Sequence, residues 1–309
     1  MKKLYIRDKM EYHKSVLLNE SIDGLHIRLN GVYVDMTYGG GGHSKLILDK
    51  LGPEGRLYAF DQDENALQNR IDDDRLMLIH QNFEHACDYL LAIGIQEVDG
   101  VLADLGVSSF QLNNDASGFS YRPEIDLDMR MDKSMTTMAK DVLNSYSEEM
   151  LQQIFQRYGE VRNAKTLSQK IVELRQTQKF QKSNDLNEVL RSIQFGTFES
   201  YAAPIYQALR MEVNQELPAL ERMLETSSKH IKVGGRMSII TFHSLEDRAV
   251  KNFMKFGEFN DEPTTDIFGK RSVWPWKLCN KKPIGPSDEE LKINPRSRSA
   301  KLRIMQRVS

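Results

Sequence analysis

Four consecutive glycines and a histidine close the segment Asp35-Met-Thr-Tyr-Gly39-Gly40-Gly41-Gly42-His43, which follows an apolar run and precedes an amphipathic one. Without Cβ atoms in the way, such a strand-to-helix turn lets backbone N–H groups come close to a nucleotide-like cofactor. A glycine-rich solvent loop is the competing reading. The dinucleotide spacing GxGxxG is not met, because the two registers end in Ser44 and Lys45, and no Gly-Lys-Ser/Thr of a P-loop follows. NAD and ATP therefore lose ground. Asp61 lies about twenty residues further on, where an acidic side chain in such folds accepts both hydroxyls of a ribose. A helix N-cap is its alternative role, with Asp63 also placed for it. Phe83 suits either the face of an adenine or the core.

A second set of polar residues gathers later. Asp104-Leu-Gly-Val-Ser-Ser109-Phe-Gln111 offers a carboxylate, two hydroxyls and an amide after an apolar run; Asp104 as a simple turn-former is the plainer option. Asp126 to Asp132 and Thr241 to Arg248 are polar without an evident structural need. Within the latter, Ser244 with Asp247 three positions on also reads as a capping-box variant, and His243 is either a pocket residue or a satisfied structural histidine.

These residues need a frame. Gly31–Met36, Arg56–Asp61, Leu76–His80 and Asp99–Asp104 read as buried strands, alternating with helical stretches over His43–Leu51, Glu64–Ile71 and Glu84–Ile93. Alternation of this kind means βαβ crossovers and a parallel sheet covered on both faces, with ligands beyond the carboxyl ends of its strands. After Leu112 the rhythm breaks, and from about Ala139 to Arg191 the pattern is helical, with Met150, Leu151, Ile154, Phe155 and Tyr158 at helix spacing. A long amphipathic helix over Ile205–Ile231, with Pro218 able to kink or divide it, leads to a Gly234-Gly235 turn, a strand Arg236–Phe242 and a helix Leu245–Lys255. Ala300–Gln306 alternates as a late antiparallel edge strand. The expected fold is α/β, with a discontinuous sheet domain over residues 1–112 and 205–309 and a helical substrate-recognition insert over 113–204.

Composition excludes several classes. The 309 residues, 40% hydrophobic and 28% charged, make a globular chain large enough for about two domains. No apolar run approaches the ~18 residues of a membrane span, and the charged start lacks the apolar core of a signal peptide, so a cytoplasmic protein is expected. Cys87 and Cys279 are the only thiols, which leaves neither a disulfide framework nor a metal cluster, and no metal is expected. Net charge is −2, yet nine Lys/Arg against three acids fall between Lys277 and Ser309, and seven against three between Val161 and Arg191. Two basic zones on a neutral molecule either seat a polyanion at a defined place or are ordinary solvated faces.

Taken together, the segments resemble the bacterial 16S ribosomal RNA cytosine-N4 methyltransferases, the MraW or RsmH family. The resemblance is carried by His13-Lys-Ser-Val-Leu-Leu18, Asp35–Ser44, Phe60-Asp-Gln-Asp63, Asp104-Leu-Gly-Val-Ser-Ser109, Leu127-Asp-Met-Arg-Met-Asp132, Tyr206–Arg210 with Val213–Leu217, Phe242-His-Ser-Leu-Glu-Asp-Arg248 and Asn294–Arg303, nearly end to end. It implies a class I S-adenosylmethionine-dependent methyltransferase fold, a Rossmann-like doubly wound sheet with an inserted all-helical domain. It also implies methylation of cytosine 1402 in the decoding region of 16S rRNA within the small ribosomal subunit. The family's cofactor contacts fall on Gly41, Gly42, His43, Asp61, Phe83, Asp104 and Gln111. Tyr38-Gly39-Gly40, Ile125-Asp126 and Ala203-Pro204 depart from the family pattern, the last where many members carry basic residues.

Methylating a cytosine ring carbon requires a cysteine nucleophile, and neither thiol stands in a plausible catalytic loop. An exocyclic amine needs only an acceptor to orient its hydrogens and a methyl held in line, with Asp104 the candidate acceptor and His243 a second catalytic candidate. Arg296, Arg298, Lys301 and Arg303 are expected to contact RNA phosphates, with a solvated edge strand as the alternative. Two other readings stay open: a methyltransferase of the same fold for DNA or protein, told apart by the modified product, and a non-catalytic ribosome-assembly factor, told apart by lack of cofactor binding. Oligomeric state, a homodimer included, is not legible.

Overall fold

The computed structural model describes residues 15–106, 118–265 and 273–309. Seven strands form one sheet: β1 (Val32–Asp35), β2 (Arg56–Asp61), β3 (Leu76–His80), β4 (Val98–Asp104), β5 (Ile231–Thr241), β6 (Trp276–Leu278) and β7 (Lys301–Arg307), in the order β3-β2-β1-β4-β5-β7-β6. β1 to β5 are parallel, as the apolar, β-branched runs require. The strand order reverses between β1 and β4, so a crevice opens beyond Asp35 and Asp104. This is the expected α/β doubly wound fold. The last strand differs from expectation: β7 runs antiparallel to β5 but is interior, because the three residues of β6 pair outside it, Lys277 opposite Gln306. A strand that short inside a Pro- and Asp-rich stretch carries no periodicity of its own. The Gly234-Gly235 pair makes no turn before β5 but lies within it, with the β4 register shifting between Val98 and Gly100.

Helices α1 (Leu18–Leu25), α2 (Gly42–Lys50), α3 (Glu64–Leu67) and α4 (Ala86–Ala92) flank the first strands. The helical insert holds α5 (Ala139–Ser145), α6 (Glu148–Arg157), α7 (Ala164–Leu174) and α8 (Ser183–Ile193). Leu151, Ile154, Phe155 and Tyr158 are buried as their spacing requires, while Met150 faces solvent. The expected long helix is two. α9 (Phe198–Val213) starts where Thr197 accepts the Ser200 N–H, and Asn214 with Gln215 (φ 49) separates it from α10 (Glu216–His230). Pro218 sits in the first turn of α10, where no intrahelical N–H is lost, so it breaks nothing. Position 205 falls inside α9, whose Tyr206 hydroxyl donates to Asn187 of α8 at 2.9 Å. One buried cluster runs from Val34 and Val101 of the sheet to Leu167 and Leu190 of these helices, so a continuous apolar core joins the two regions. α11 (Ser244–Phe256) follows β5, and α12 (Asp288–Ile293) lies between β6 and β7.

Candidate functional site

The β1 tip and the glycine turn are built around buried polar groups. Asp35 is fully buried; its Oδ1 accepts the Thr37 N–H (3.1 Å) and its Oδ2 the Ser44 hydroxyl (2.7 Å), while burial pushes its pKa to about 6. Gly41 caps α2 at φ +77, where a Cβ would stand 2.8 Å from the Tyr38 hydroxyl. That hydroxyl is fixed by donating to Asn69 O and accepting from the Ile71 N–H. At Gly42 a Cβ would collide with the Ser15 side chain. Gly41 and Gly42 are thus small to admit protein neighbours, whereas Gly39, at φ +54, has only the Thr37 carbonyl oxygen at 4.0 Å and borders open space. His43 is buried, and its Nε2 lies 3.1 Å from Val16 O, so Nε2 carries the hydrogen and Nδ1 faces Asp104 Oδ2 at 3.7 Å. Burial lowers its pKa to about 4, which makes it a neutral strut between the glycine turn and the segment before α1.

Asp61 ends β2. Its Oδ2 accepts the Gly39 N–H (2.7 Å) and its Oδ1 the Asp63 N–H (2.8 Å), and burial, reinforced by the neighbouring carboxylates of Asp63 and Asp35, brings its pKa to about 6. The capping role goes to Asp63, which accepts the Asn65 N–H, and each Asp61 oxygen keeps a lone pair for a further donor. Phe83, half-buried in the 3-10 turn Phe83–His85 that follows β3, lines the same cleft as Gln62 and Leu105. Asp104 ends β4; its Oδ1 is buried and has no hydrogen-bond partner among the described residues. Burial, then the carboxylates of Asp35, Glu246 and Glu290, push its pKa well above the ordinary range.

Residues that follow β4 in the chain also line the cleft, among them Met131, Asn214, Glu216 and Glu246. Met131 lies 3.0 Å from the Gln62 amide nitrogen, and its backbone N–H is held by Asn214 Oδ1 (2.8 Å), which ties the Asp126–Asp132 segment over the cleft. Asp128 in that segment is spent on Arg130 and Lys133. His243, not Ser244, caps α11: its Nδ1 accepts the Glu246 N–H (3.4 Å), while Glu246 Oε2 accepts from the N–H groups of Phe242 (2.9 Å) and His243 (3.4 Å). The extended backbone at position 243 puts that residue before the first helical turn, which moves the capping box one place earlier. Glu216, on the first turn of α10, holds the Arg210 guanidinium with both oxygens at 2.7 and 2.8 Å. Glu216, His243 and Glu246 bring ligand-type atoms within 4.8 Å of one another, a set with the chemistry to hold a cation. Reading the sequence gave Arg210, Asn214 and Glu216 no role, though they fall in the segments Tyr206–Arg210 and Val213–Leu217 that carry the family resemblance; Glu246 fell in the polar stretch Thr241–Arg248 but was given no role of its own.

The basic tail divides. Arg303 is buried, with its Nε 2.7 Å and Nη2 3.2 Å from the two oxygens of Asp247, and half-exposed Lys301 joins the same carboxylate at 2.9 Å. Arg303 is therefore a core cation, not a surface one, and Asp247 is its partner. Arg296 and Arg298 are exposed. Gln111, with Ser108 and Ser109, lies outside the described residues.

Comparison with known proteins fits this arrangement. A model described as the MraW methylase family matches residues 10–308. The chain belongs to the MraW methylase family. Proteins named ribosomal RNA small subunit methyltransferase H are similar to it from end to end. That of Christiangramia forsetii is 48% identical over 300 residues, 97% of this chain and 99% of its own. That of Flavobacterium johnsoniae is 49% identical with the same coverage, and that of Bacteroides thetaiotaomicron 45% over 303 residues. As a methylase of this family the protein uses S-adenosylmethionine. The crevice suits that cofactor: Asp61 retains acceptor capacity at the β2 tip, Gly39 leaves open space beside it, and the unpartnered Asp104 Oδ1 waits at the β4 tip. Among the described residues no helix is long and apolar enough to cross a membrane.

Proposed function

We propose that this enzyme methylates the exocyclic N4 amine of a cytidine in 16S rRNA, cytosine 1402 of the decoding region, with the small ribosomal subunit as its partner in the cytoplasm. The observation that carries the choice of an amine is the contrast between the cleft's carboxylates and the chain's thiols. Cys87 is buried beside Ser227 with its thiol pKa pushed up, Cys279 is exposed near β7, and neither lines the cleft. Ring-carbon methylation has no nucleophile here.

Asp61 would hold the cofactor's ribose hydroxyls, Phe83 its adenine face, and Asp104 would lie at its methionine end. S-adenosylmethionine supplies a methyl on a sulfonium, so an amine attacks that carbon in line and a neutral thioether departs. The chain's own contribution is positioning and charge. Asp104, with one oxygen unpaired, gains from a cation placed beside it and can accept an amine hydrogen. Met131, pinned by Asn214, narrows the cleft from above. A base in folded RNA must be splayed out to reach this depth. Arg296 and Arg298, with Lys301 at the rim, supply phosphate contacts, and the basic zone of the insert supplies others.

Methyl transfer from labelled S-adenosylmethionine to naked 16S RNA, small subunits and whole ribosomes, all from cells lacking the endogenous enzyme, tests the reading. The expected product is N4-methylcytidine in small subunits, identified by mass spectrometry. 5-Methylcytidine, or label in none of the three, overturns it.

A further inference from the structure

His243 Nε2 and Glu246 Oε1 stand 3.1 Å apart at the cleft wall. His243 Nδ1 accepts the Glu246 N–H, which leaves the ring hydrogen on Nε2; among the described residues that buried nitrogen makes no well-formed hydrogen bond, its one close neighbour being Glu246 Oε1 at 3.1 Å. Glu246 cannot turn to meet it, because Oε2 is fastened to two backbone N–H groups. The wall thus presents a fixed donor beside a fixed acceptor with about the spacing at which two adjacent edge atoms of a nucleobase are read.

Resting on the reading of the substrate as a cytidine, we propose that His243 and Glu246 are specificity-determining residues that recognise the Watson–Crick edge of the target cytosine: Glu246 Oε1 accepts a hydrogen from the N4 amine and His243 Nε2–H donates to ring N3. Cytosine offers donor then acceptor in that order. Uracil offers the reverse, O4 as acceptor and N3–H as donor, so both contacts become mismatches, and a site built for one pattern rejects the other strongly. Holding N4 through one in-plane hydrogen leaves the face of the amine open to the methyl carbon.

Two further observations agree. Burial pushes Glu246 up, but the adjoining His243, the Phe242 N–H and the Arg210 guanidinium outweigh it and hold the carboxyl below its ordinary range, so the acceptor stays an acceptor. The same Arg210 occupies both oxygens of Glu216. A cation in the Glu216–His243–Glu246 cluster would have to displace that guanidinium or sit against its charge, which favours a neutral base edge over a metal ion as the occupant.

The test uses small subunits reconstituted with 16S RNA that carries either cytidine or 3-deazacytidine at the target position. The wild-type enzyme is expected to lose about tenfold to a hundredfold in kcat/KM on 3-deazacytidine, which lacks the N3 acceptor. His243→Ala should lose a similar factor on cytidine and nothing further on 3-deazacytidine, the two deletions removing one contact. Glu246→Gln keeps the size and the backbone-facing oxygen but turns an amide donor to the cleft, and should lose at least as much on both substrates. S-adenosylmethionine affinity by calorimetry should stay within twofold in both variants, which separates base reading from misfolding. If His243→Ala discriminates between the two substrates as strongly as wild type does, or if either variant loses only as much turnover as it loses cofactor affinity, the proposal is overturned. A wild-type enzyme that methylates neither substrate overturns the substrate reading itself, a separate outcome.

Discussion

Asp104 at the tip of β4 and Glu246 in the lining of the neighbouring cleft feel each other's charge, and their surroundings drive them in opposite directions. Asp104 ends β4 with Oδ1 unpartnered, Oδ2 3.7 Å from a neutral histidine, and the carboxylates of Asp35, Glu246 and Glu290 around it, so it is pushed toward the protonated form. Glu246 is at least as buried, yet two backbone N–H groups, His243 and the Arg210 guanidinium keep it ionised. What separates them is the count of donors and cations in reach, not residue type or depth. A carboxylate starved of positive charge is suited to receive a cationic group, and one already supplied is suited to hold a neutral amine at a fixed distance. On the function proposed, Asp104 would meet the cationic cofactor and Glu246 would hold the amine.

The substitution that bears hardest on this division is Asp104→Asn. It keeps the shape and removes the negative charge, so kcat should fall about a hundredfold to ten-thousandfold, the range of a positioned proton acceptor, with a weaker grip on S-adenosylmethionine. Single-turnover kinetics at saturating cofactor read the chemical step. Full turnover with normal cofactor affinity would leave Asp104 outside the chemistry and put the acceptor role on Glu246.

The same logic of supplied and unsupplied charge distinguishes the residues of the tail. Asp247 and Arg303 are both nearly out of solvent, 12% and 11% exposed, and Lys301 is the only other cation on that carboxylate among the ion pairs described. Arg303→Ala is expected to cost about 3 kcal/mol of stability in chemical denaturation, the order found when one partner of a buried pair is deleted. It should leave the salt dependence of RNA binding unchanged. Arg296→Glu with Arg298→Glu should do the converse, shifting stability by no more than about 0.5 kcal/mol while lowering the slope of log affinity against log salt by about one per lost contact. If Arg303→Ala changed the slope and spared stability, its burial against Asp247 would not be what fixes its role.

The sheet was legible because buried parallel strands announce themselves. Arg56–Asp61 and Leu76–His80 are found with the bounds read from their apolar runs, and Asp104 and Asp61 stand at strand tips where the alternation puts them. The glycine turn was legible as a place, but not in its cause: Gly41 and Gly42 answer to Tyr38 and Ser15, contacts between residues whose meeting depends on how the chain folds back. In the later segments His243 and the polar stretch around it were legible, but the pairing of Glu246 with Glu216 and Arg210 was not. Glu216 and Glu246 are thirty positions apart on different helices, and nothing local tells a buried carboxylate from a solvated one on an amphipathic helix. Arg303 shows the converse error, since in an alternating strand a cation reads as the solvent face. β6 covers that edge, and Asp247 of α11 supplies the partner that only the tertiary structure brings.

Asp61 lies between the two extremes and gives the comparison its finest test. Like Glu246 it accepts backbone N–H groups, one on each oxygen, but the charges acting on it are the carboxylates of Asp63 and Asp35, and its pKa is about 6. A folded-state value above the ordinary one means that the ionised form is disfavoured by folding. Asp61 and Asp35 together lower stability above pH 6, and this cost fades as the pH falls toward 4, where both states are increasingly protonated. Ribose hydroxyls donate to the ionised carboxylate, so protonation of Asp61 should weaken cofactor affinity by up to about tenfold per unit below pH 6, with proton release on binding near pH 6. Calorimetry in buffers of different ionisation enthalpy measures both quantities. Asp61→Asn should bind more weakly at neutral pH and lose most of the dependence below 6, any remaining slope belonging to Asp35 and Asp104. An unchanged slope in that variant would move the titration to the β1 and β4 tips and make the wall that receives the cofactor, from β2 to β4, a single coupled cluster rather than a graded series.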